Sequence, residues 1–318
     1  MTEGPERFLC ATAARERGDE MAGTAAVARC WVLIEYRGAW PFAGFGELAA
    51  VAPELRASII AATRAAGGRT FLIRRAGRRS SDLPPRWAVV QRHLDGSTSQ
   101  HWGTWEQDTD LAPIPGLIGR RGRTDLPPLL LVCTHGVHDV CCALRGRPVG
   151  AALARRWPQG TWECSHVGGD RFAANLVVLP DGVYYGGLDP DTAVTTVENH
   201  LADSISATHL RGYTDLGPPQ QAAVAEVLRR FGPAGREQLQ VIGTVRGQGS
   251  WSIRLQGAGP LPAEIVVEVR AERSPRAQMT CRAPGPASVL RYRVERLVVE
   301  RGRPEVVDRS PPTTEPGR

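Results

Sequence analysis

Sulfur and imidazole donors collect in one stretch of this chain. Between Leu129 and Gly187 lie Cys133, Cys141, Cys142 and Cys164, four of the seven cysteines, and His135, His138 and His166, three of the seven histidines. Soft thiolate and imidazole ligands together are what redox or transition-metal chemistry requires, and no other stretch gathers both. Two chemistries follow from these residue types alone. A zinc site could draw on Cys133, His135, His138 and Cys142, although the usual C-x2-C spacing is missing. A thiol nucleophile could sit at Cys142, where a following helix N-terminus would lower its pKa.

The elements that must position these donors are readable from pattern. Leu129 to Val132 is a short, fully apolar run, as expected of a buried central strand, and Cys133 ends it. Thr134 to Val140 is a polar loop. Cys142 to Trp157 has apolar residues at helical spacing, with Pro148 placing the helix start near itself. Thr161 to Cys164, Phe172 to Leu179 and Val183 to Tyr185 read as strands, with the glycine turn His166 to Asp170 between the first two. Asp189 to Leu201 reads as a helix capped by Asp189 or Asp191. The order is that of an α/β unit with cysteines at the end of its first strand and at the start of its helix.

Two motifs in this stretch, CTHGVHDVCCALRGRPV and WECSHVGGDRFAANLVVLPDGVYYG, resemble the sucrase/ferredoxin-like proteins, relatives of the thioredoxin-like [2Fe-2S] ferredoxins. The likeness extends more weakly through Cys30 to Arg75. The resemblance implies a C-x8-C pair and an H-x3-H pair as cluster ligands. Cys133 and Cys142 match the first pair and His166 the first His. Asp170 stands where the second His belongs, so the fourth ligand is either Asp170 or Cys164, two residues before His166. With Asp170, two thiolates, a neutral imidazole and a carboxylate leave an oxidised [2Fe-2S] site at minus one. That lies between all-Cys and bis-His sites and implies an intermediate potential. The resemblance implies an electron carrier, working with a reductase and an acceptor protein, rather than an enzyme with its own substrate. A thiol-based oxidoreductase or a zinc-stabilised binding module stands as the alternative. Glycoside hydrolysis needs two positioned carboxylates; Asp181, Asp189 and Asp191 are accounted for by turns and caps.

The rest of the chain bounds these readings. Its 318 residues, 42% hydrophobic, suffice for two or three cored domains. No apolar run approaches the roughly 20 residues of a membrane span, and the N-terminus has no signal-peptide hydrophobic region, so a cytoplasmic protein is expected. Net charge is +6, and every basic residue is Arg. The densest runs, Arg74 to Arg79 and Gly119 to Arg123, lack interleaved aromatics, which argues against a nucleic-acid partner. The expected fold class is α/β: a thioredoxin-like ferredoxin domain over 126–210, preceded by a degenerate thioredoxin-like domain and linker over 29–125. A small α+β module follows over 211–302. A flexible arm is expected over 1–28 and a disordered tail over 303–318. Cys10 reads as a structural or surface cysteine, Cys141 as structural, Cys281 as a core or surface cysteine, and Trp102 and Trp105 as packing across the boundary between the first two domains.

Overall fold

The computed structural model describes residues 8–76 and 83–300; the expected tail and part of the Arg74–Arg79 run lie outside them. Helix α1 (Cys10–Glu16) precedes β1 (Cys30–Glu35), α2 (Pro53–Ala65), β2 (Gly68–Arg74), β3 (Arg86–Arg92) and β4 (Thr98–Thr104). A short helix α3 (Ile114–Leu117) leads into β5 (Leu129–Cys133), α4 (Val140–Arg156), β6 (Thr161–Cys164), β7 (Leu176–Leu179) and β8 (Val183–Tyr185). Then come α5 (Pro190–Leu201), β9 (Leu210–Tyr213), α6 (Pro218–Phe231) and four strands, β10 (Leu239–Arg246), β11 (Ser250–Gly257), β12 (Glu264–Arg273) and β13 (Leu290–Val299). The α/β class is therefore as expected from the sequence.

The first nine strands form one sheet in the order β4-β3-β1-β2-β6-β5-β7-β8-β9. Two copies of one plan are visible in it. β1 runs parallel to β2 across helix α2 and antiparallel to β3; β5 runs parallel to β6 across helix α4 and antiparallel to β7. The copies join through an antiparallel β2–β6 pair, Ile73 opposite Cys164 and Arg74 opposite Glu163. Buried residues on one face, Val32, Ile34 and Leu72 in the first copy and Leu130 and Val132 in the second, meet the helices. β10 to β13 form a separate antiparallel sheet packed on α6, with Ile253, Leu255, Ile265, Val267 and Val269 buried at strand alternation.

Four local expectations are corrected. Residues 94–128, whose Ser, Thr, Gly and Pro content reads as the linker between the first two domains, hold β4, and its polar sequence TSQHWGT suits a sheet edge that needs no apolar alternation. Helix α4 starts at Val140 and carries Pro148 inside it, because the Asp139 side chain caps it by accepting from the Cys141 backbone N–H at 2.8 Å. β7 begins only at Leu176, since a 3-10 turn over Asp170–Phe172 occupies the start of the expected strand. The expected arm contains α1, with Cys10 fully buried. Trp102 does stack on Trp162 of the second copy at 6.3 Å between ring centroids, whereas the Trp105 indole donates to the Glu35 carbonyl within the first.

Carboxylates expected in turns and caps are found there. Asp189 caps α5 through the N–H groups of Asp191 and Thr192, and Asp181 pairs with His200 at 2.9 Å. Asp215 ties together distant parts of the chain by meeting Arg236 at 2.6 Å and Arg92 at 3.3 Å. Burial alone would raise the Asp215 pKa, but the two guanidiniums outweigh it and hold the carboxyl below its usual range. A depressed folded pKa contributes stability above the unfolded value of about 3.9 and loses it as pH falls through the lowered folded value. Asp215→Asn should therefore cost about 1–3 kcal/mol at neutral pH, Arg92 keeping Glu237 as a partner. The loss should shrink below about pH 4, as read by denaturant unfolding of both proteins at a series of pH values.

Candidate metal centre

The site is built where β5 ends and α4 begins. Cys133 is the last residue of β5 and Cys142 the third of α4. Helix and strand touch here because Gly146 has no side chain: a Cβ at that position would stand 2.1 Å from the Cys133 carbonyl oxygen. The third and fourth contributors come from the loop after β6. Gly168 and Gly169 take φ of 97° and 78°, conformations open to glycine, and turn the chain so that His166 and Asp170 face the two cysteines.

This turn is held from below. The Arg211 guanidinium, 2% exposed, donates to the Gly168 carbonyl and to Asn175 Oδ1, both at 2.8 Å, and to the Thr24 carbonyl at 2.6 Å. Asn175 in turn donates to the Gly169 carbonyl at 2.9 Å. Burial draws the Arg211 pKa down to about 10, so it remains a cation at neutral pH.

Ligand atoms of Cys133, Cys142 and His166 lie within 4.8 Å of one another, as do those of His138, His166 and Asp170. His166 belongs to both groups. Its Nδ1 stands 3.0 Å from Asp170 Oδ1, and the Cys142 thiol donates to that same oxygen at 3.1 Å. Both thiols are buried, and Asp170 is 5% exposed. The electrostatics are strongly coupled. A hydrogen bond from Cys142, aided by His166, holds the Cys133 pKa well down despite burial, and the same interaction pushes Cys142 up. Burial alone would lower His166, but Asp170 and Cys133 outweigh it and raise it to about 9. Without a metal the four side chains thus form one coupled cluster, in which Cys133 and Cys142 are pushed in opposite directions.

Cys164 is placed differently. It pairs with Cys133 across the β5–β6 ladder, is fully buried, and belongs to neither ligand group. Burial raises its pKa well above that of a free thiol. The residue that sequence reasoning undervalued is His138. Its Nδ1 bonds the Phe42 carbonyl at 3.4 Å, and its Nε2 stands 4.0 Å from Asp170 Oδ2. Its ring stacks on His166 at 3.7 Å and on the half-exposed Phe42 at 4.9 Å. His135, by contrast, accepts the His166 backbone N–H at 3.3 Å and lies outside both groups.

The donor set suits a thiophilic metal. His166 Nδ1 is buried and, though near Asp170, makes no aligned hydrogen bond, so a metal ion that displaces its proton meets no bonded partner there. Among the described residues, no helix is long and apolar enough to cross a membrane. A family model described as sucrase/ferredoxin-like matches residues 21–212, a span that includes the first nine-strand sheet almost entirely and every residue of this site. No curated protein and no solved structure matches the chain.

Gly146→Ala tests the positioning. The added methyl must push α4 from the end of β5, costing about 1–3 kcal/mol as overpacking does. Metal retained by Cys133 and Cys142 should fall with it, measured as metal per folded chain after gel filtration; Gly150→Ala, where a Cβ would meet only ordinary contacts, should keep the metal.

Proposed function

The chain belongs to the sucrase/ferredoxin-like family, and we propose that it is an electron carrier whose cofactor is a single [2Fe-2S] cluster held by Cys133, Cys142, His166 and Asp170. The observation that carries this reading is the shared His166. It links a buried sulfur pair to a second group of nitrogen and oxygen donors, the mixed ligation that a family C-x8-C pair with a partly altered H-x3-H pair requires. When bound, the cluster supplies one-electron redox chemistry.

The protein residues have distinct tasks. Cys133 and Cys142, sealed in the core, exclude water from the sulfur side. His166 and His138 are about a quarter exposed at their side chains and stack outward toward Phe42. This imidazole edge, flanked by the exposed Phe42 and Val137, is the face we assign to a reductase and an acceptor protein. Arg211 places a fixed positive charge behind the glycine turn, facing a site of net negative charge. All seven cysteines are free, which fits a reducing cytoplasmic setting.

One observation favours a second reading. The donor atoms of Cys133, Cys142 and His166 are close enough together to serve a single zinc ion, the zinc-stabilised module of the alternative. Absorption and EPR spectra of anaerobically purified protein, before and after dithionite, separate the two. Visible bands that bleach, with a rhombic S = 1/2 signal on reduction, are expected. A colourless, EPR-silent protein that stays so after iron and sulfide are supplied would leave the zinc reading in place.

Substitution then identifies the ligands. Cys133→Ser and Cys142→Ser should remove or grossly alter the spectrum. Asp170→Ala should shift the midpoint potential and the EPR g-values, whereas Cys164→Ser should leave both within error. The potential itself should fall between roughly −400 mV, as in all-Cys plant-type sites, and the roughly −150 mV or above of bis-His Rieske-type sites. A midpoint well below that window would sink the mixed ligand set.

A further inference from the structure

The cysteines beside the first site form a second cluster. Cys141 and Cys142 are consecutive on α4, so their side chains point about 100° apart. Cys142 turns to Cys133; Cys141 turns to Cys10 of α1 and to Cys281, in the segment between β12 and β13. The Cys141 and Cys281 sulfurs are 3.4 Å apart, and those of Cys281 and Cys10 are 3.5 Å apart. Asp139, fully buried, lies 3.7 Å from the Cys10 sulfur through either carboxylate oxygen. The ligand atoms of all four residues fall within 4.8 Å of one another.

Three features argue for a metal ion. First, three thiols and a carboxylate are one donor set too many for a disulfide, which would join two sulfurs at about 2.05 Å and strand the third beside a buried carboxylate. The observed spacings lie much nearer the roughly 3.8 Å between two thiolates that share one tetrahedral zinc at about 2.3 Å. Second, the set is already braced. Backbone N–H groups of Cys141 and Cys281 donate to Asp139 at 2.8 and 2.7 Å, and the Cys10 N–H donates to the Cys281 sulfur at 3.4 Å. Such outer bonds orient ligands and steady thiolate charge. Third, the set is compact. A cluster spreads its thiolates over several irons, whereas one ion draws them together, and three sulfurs with one oxygen suit zinc.

We propose that Cys10, Asp139, Cys141 and Cys281 form a second, structural metal site that binds one zinc ion. Zinc keeps its oxidation state; each thiol that is still protonated releases its proton to solvent on binding. The ion clips together three segments remote in sequence: the N-terminal helix, the start of α4, and the segment between β12 and β13. Since α4 also presents Cys142, the clip steadies the metal centre described above from the other side of the same helix. The proposal does not depend on what that centre binds.

The test is elemental analysis of the full chain, expressed with zinc and iron supplied and purified without chelator. Wild-type protein is expected to carry one zinc per chain beyond any held at the Cys133 and Cys142 centre. Cys281→Ser should lose it while any iron is unchanged, and Cys133→Ser/Cys142→Ser should lose the iron while the zinc remains. That second variant separates the two sites, whatever the first contains. If Cys281→Ser does not fold, cobalt(II) replaces zinc in the Cys133→Ser/Cys142→Ser protein. Tetrahedral d–d bands with strong thiolate-to-cobalt charge transfer are then expected. Absence of zinc, loss of all zinc with the Cys133 and Cys142 pair, a disulfide among Cys10, Cys141 and Cys281, or cobalt spectra without thiolate bands would each overturn the proposal.

Discussion

The whole arrangement rests on one close approach, that of the Gly146 backbone to the carbonyl of Cys133. Most helices stand off a sheet by the length of two side chains. Here α4 comes down at the end of β5 until no side chain fits between them. The first turn of the helix is thereby fixed over the strand end, and Asp139 fixes its rotation by capping Cys141. With position and rotation set, two neighbouring cysteines are committed to different surroundings: Cys142 to Cys133 and Cys141 to Cys10 and Cys281. A helix tilted or turned by half a residue would bring together neither group.

A second constraint supplies the opposite wall. A guanidinium is costly to bury, and Arg211 finds neutral acceptors rather than a salt bridge. Those acceptors are carbonyls of the glycine turn and of residue 24, together with Asn175. The bonds run both ways in their effect: the buried cation is solvated, and the turn that carries His166 and Asp170 cannot relax. Gly169 shows how tight this is, because a Cβ there would meet the Arg211 Nη2 at 2.4 Å. The site is therefore held by backbone that is itself gripped by a core charge, not by loops free in solvent.

What the sequence made legible follows from periodicity and residue type. The β5 run LLLVC, the short strands Thr161 to Cys164 and Val183 to Tyr185, and the helix that Asp189 caps carry their structure in their pattern, and each element appears as read. The cysteine-rich stretch likewise announced itself through donor chemistry. The misreadings arose where tertiary partners decide. Pro148 is a helix breaker in isolation, yet Asp139 starts the helix well before it. β4 has no apolar alternation because one of its edges is open. The meeting of Cys10, Cys141 and Cys281 has no signature in spacing at all, since it depends on how three distant segments fold back.

The repeated plan of the sheet explains why the grouped thiol and imidazole donors lie in one copy. At the C-terminal ends of their ladders, Glu35 pairs with Ile73 in the first copy as Cys133 pairs with Cys164 in the second. Ile73 and Cys164 then face each other across the β2–β6 junction. The position equivalent to Cys133 is thus Glu35, and its carboxylate is occupied by Arg37 and by the Arg86 backbone N–H, while its carbonyl receives the Trp105 indole. The helix that follows, α2, begins with proline and offers no thiol near its start. The same architecture that forms a donor pocket around Cys133 is satisfied at Glu35 by hydrogen bonds within the protein. The first copy supplies instead the Phe42 ring that covers His138, so it serves the site as a wall. Backbone topology creates the opportunity twice; only the side chains at the strand end and helix start decide whether a ligand is needed to complete it.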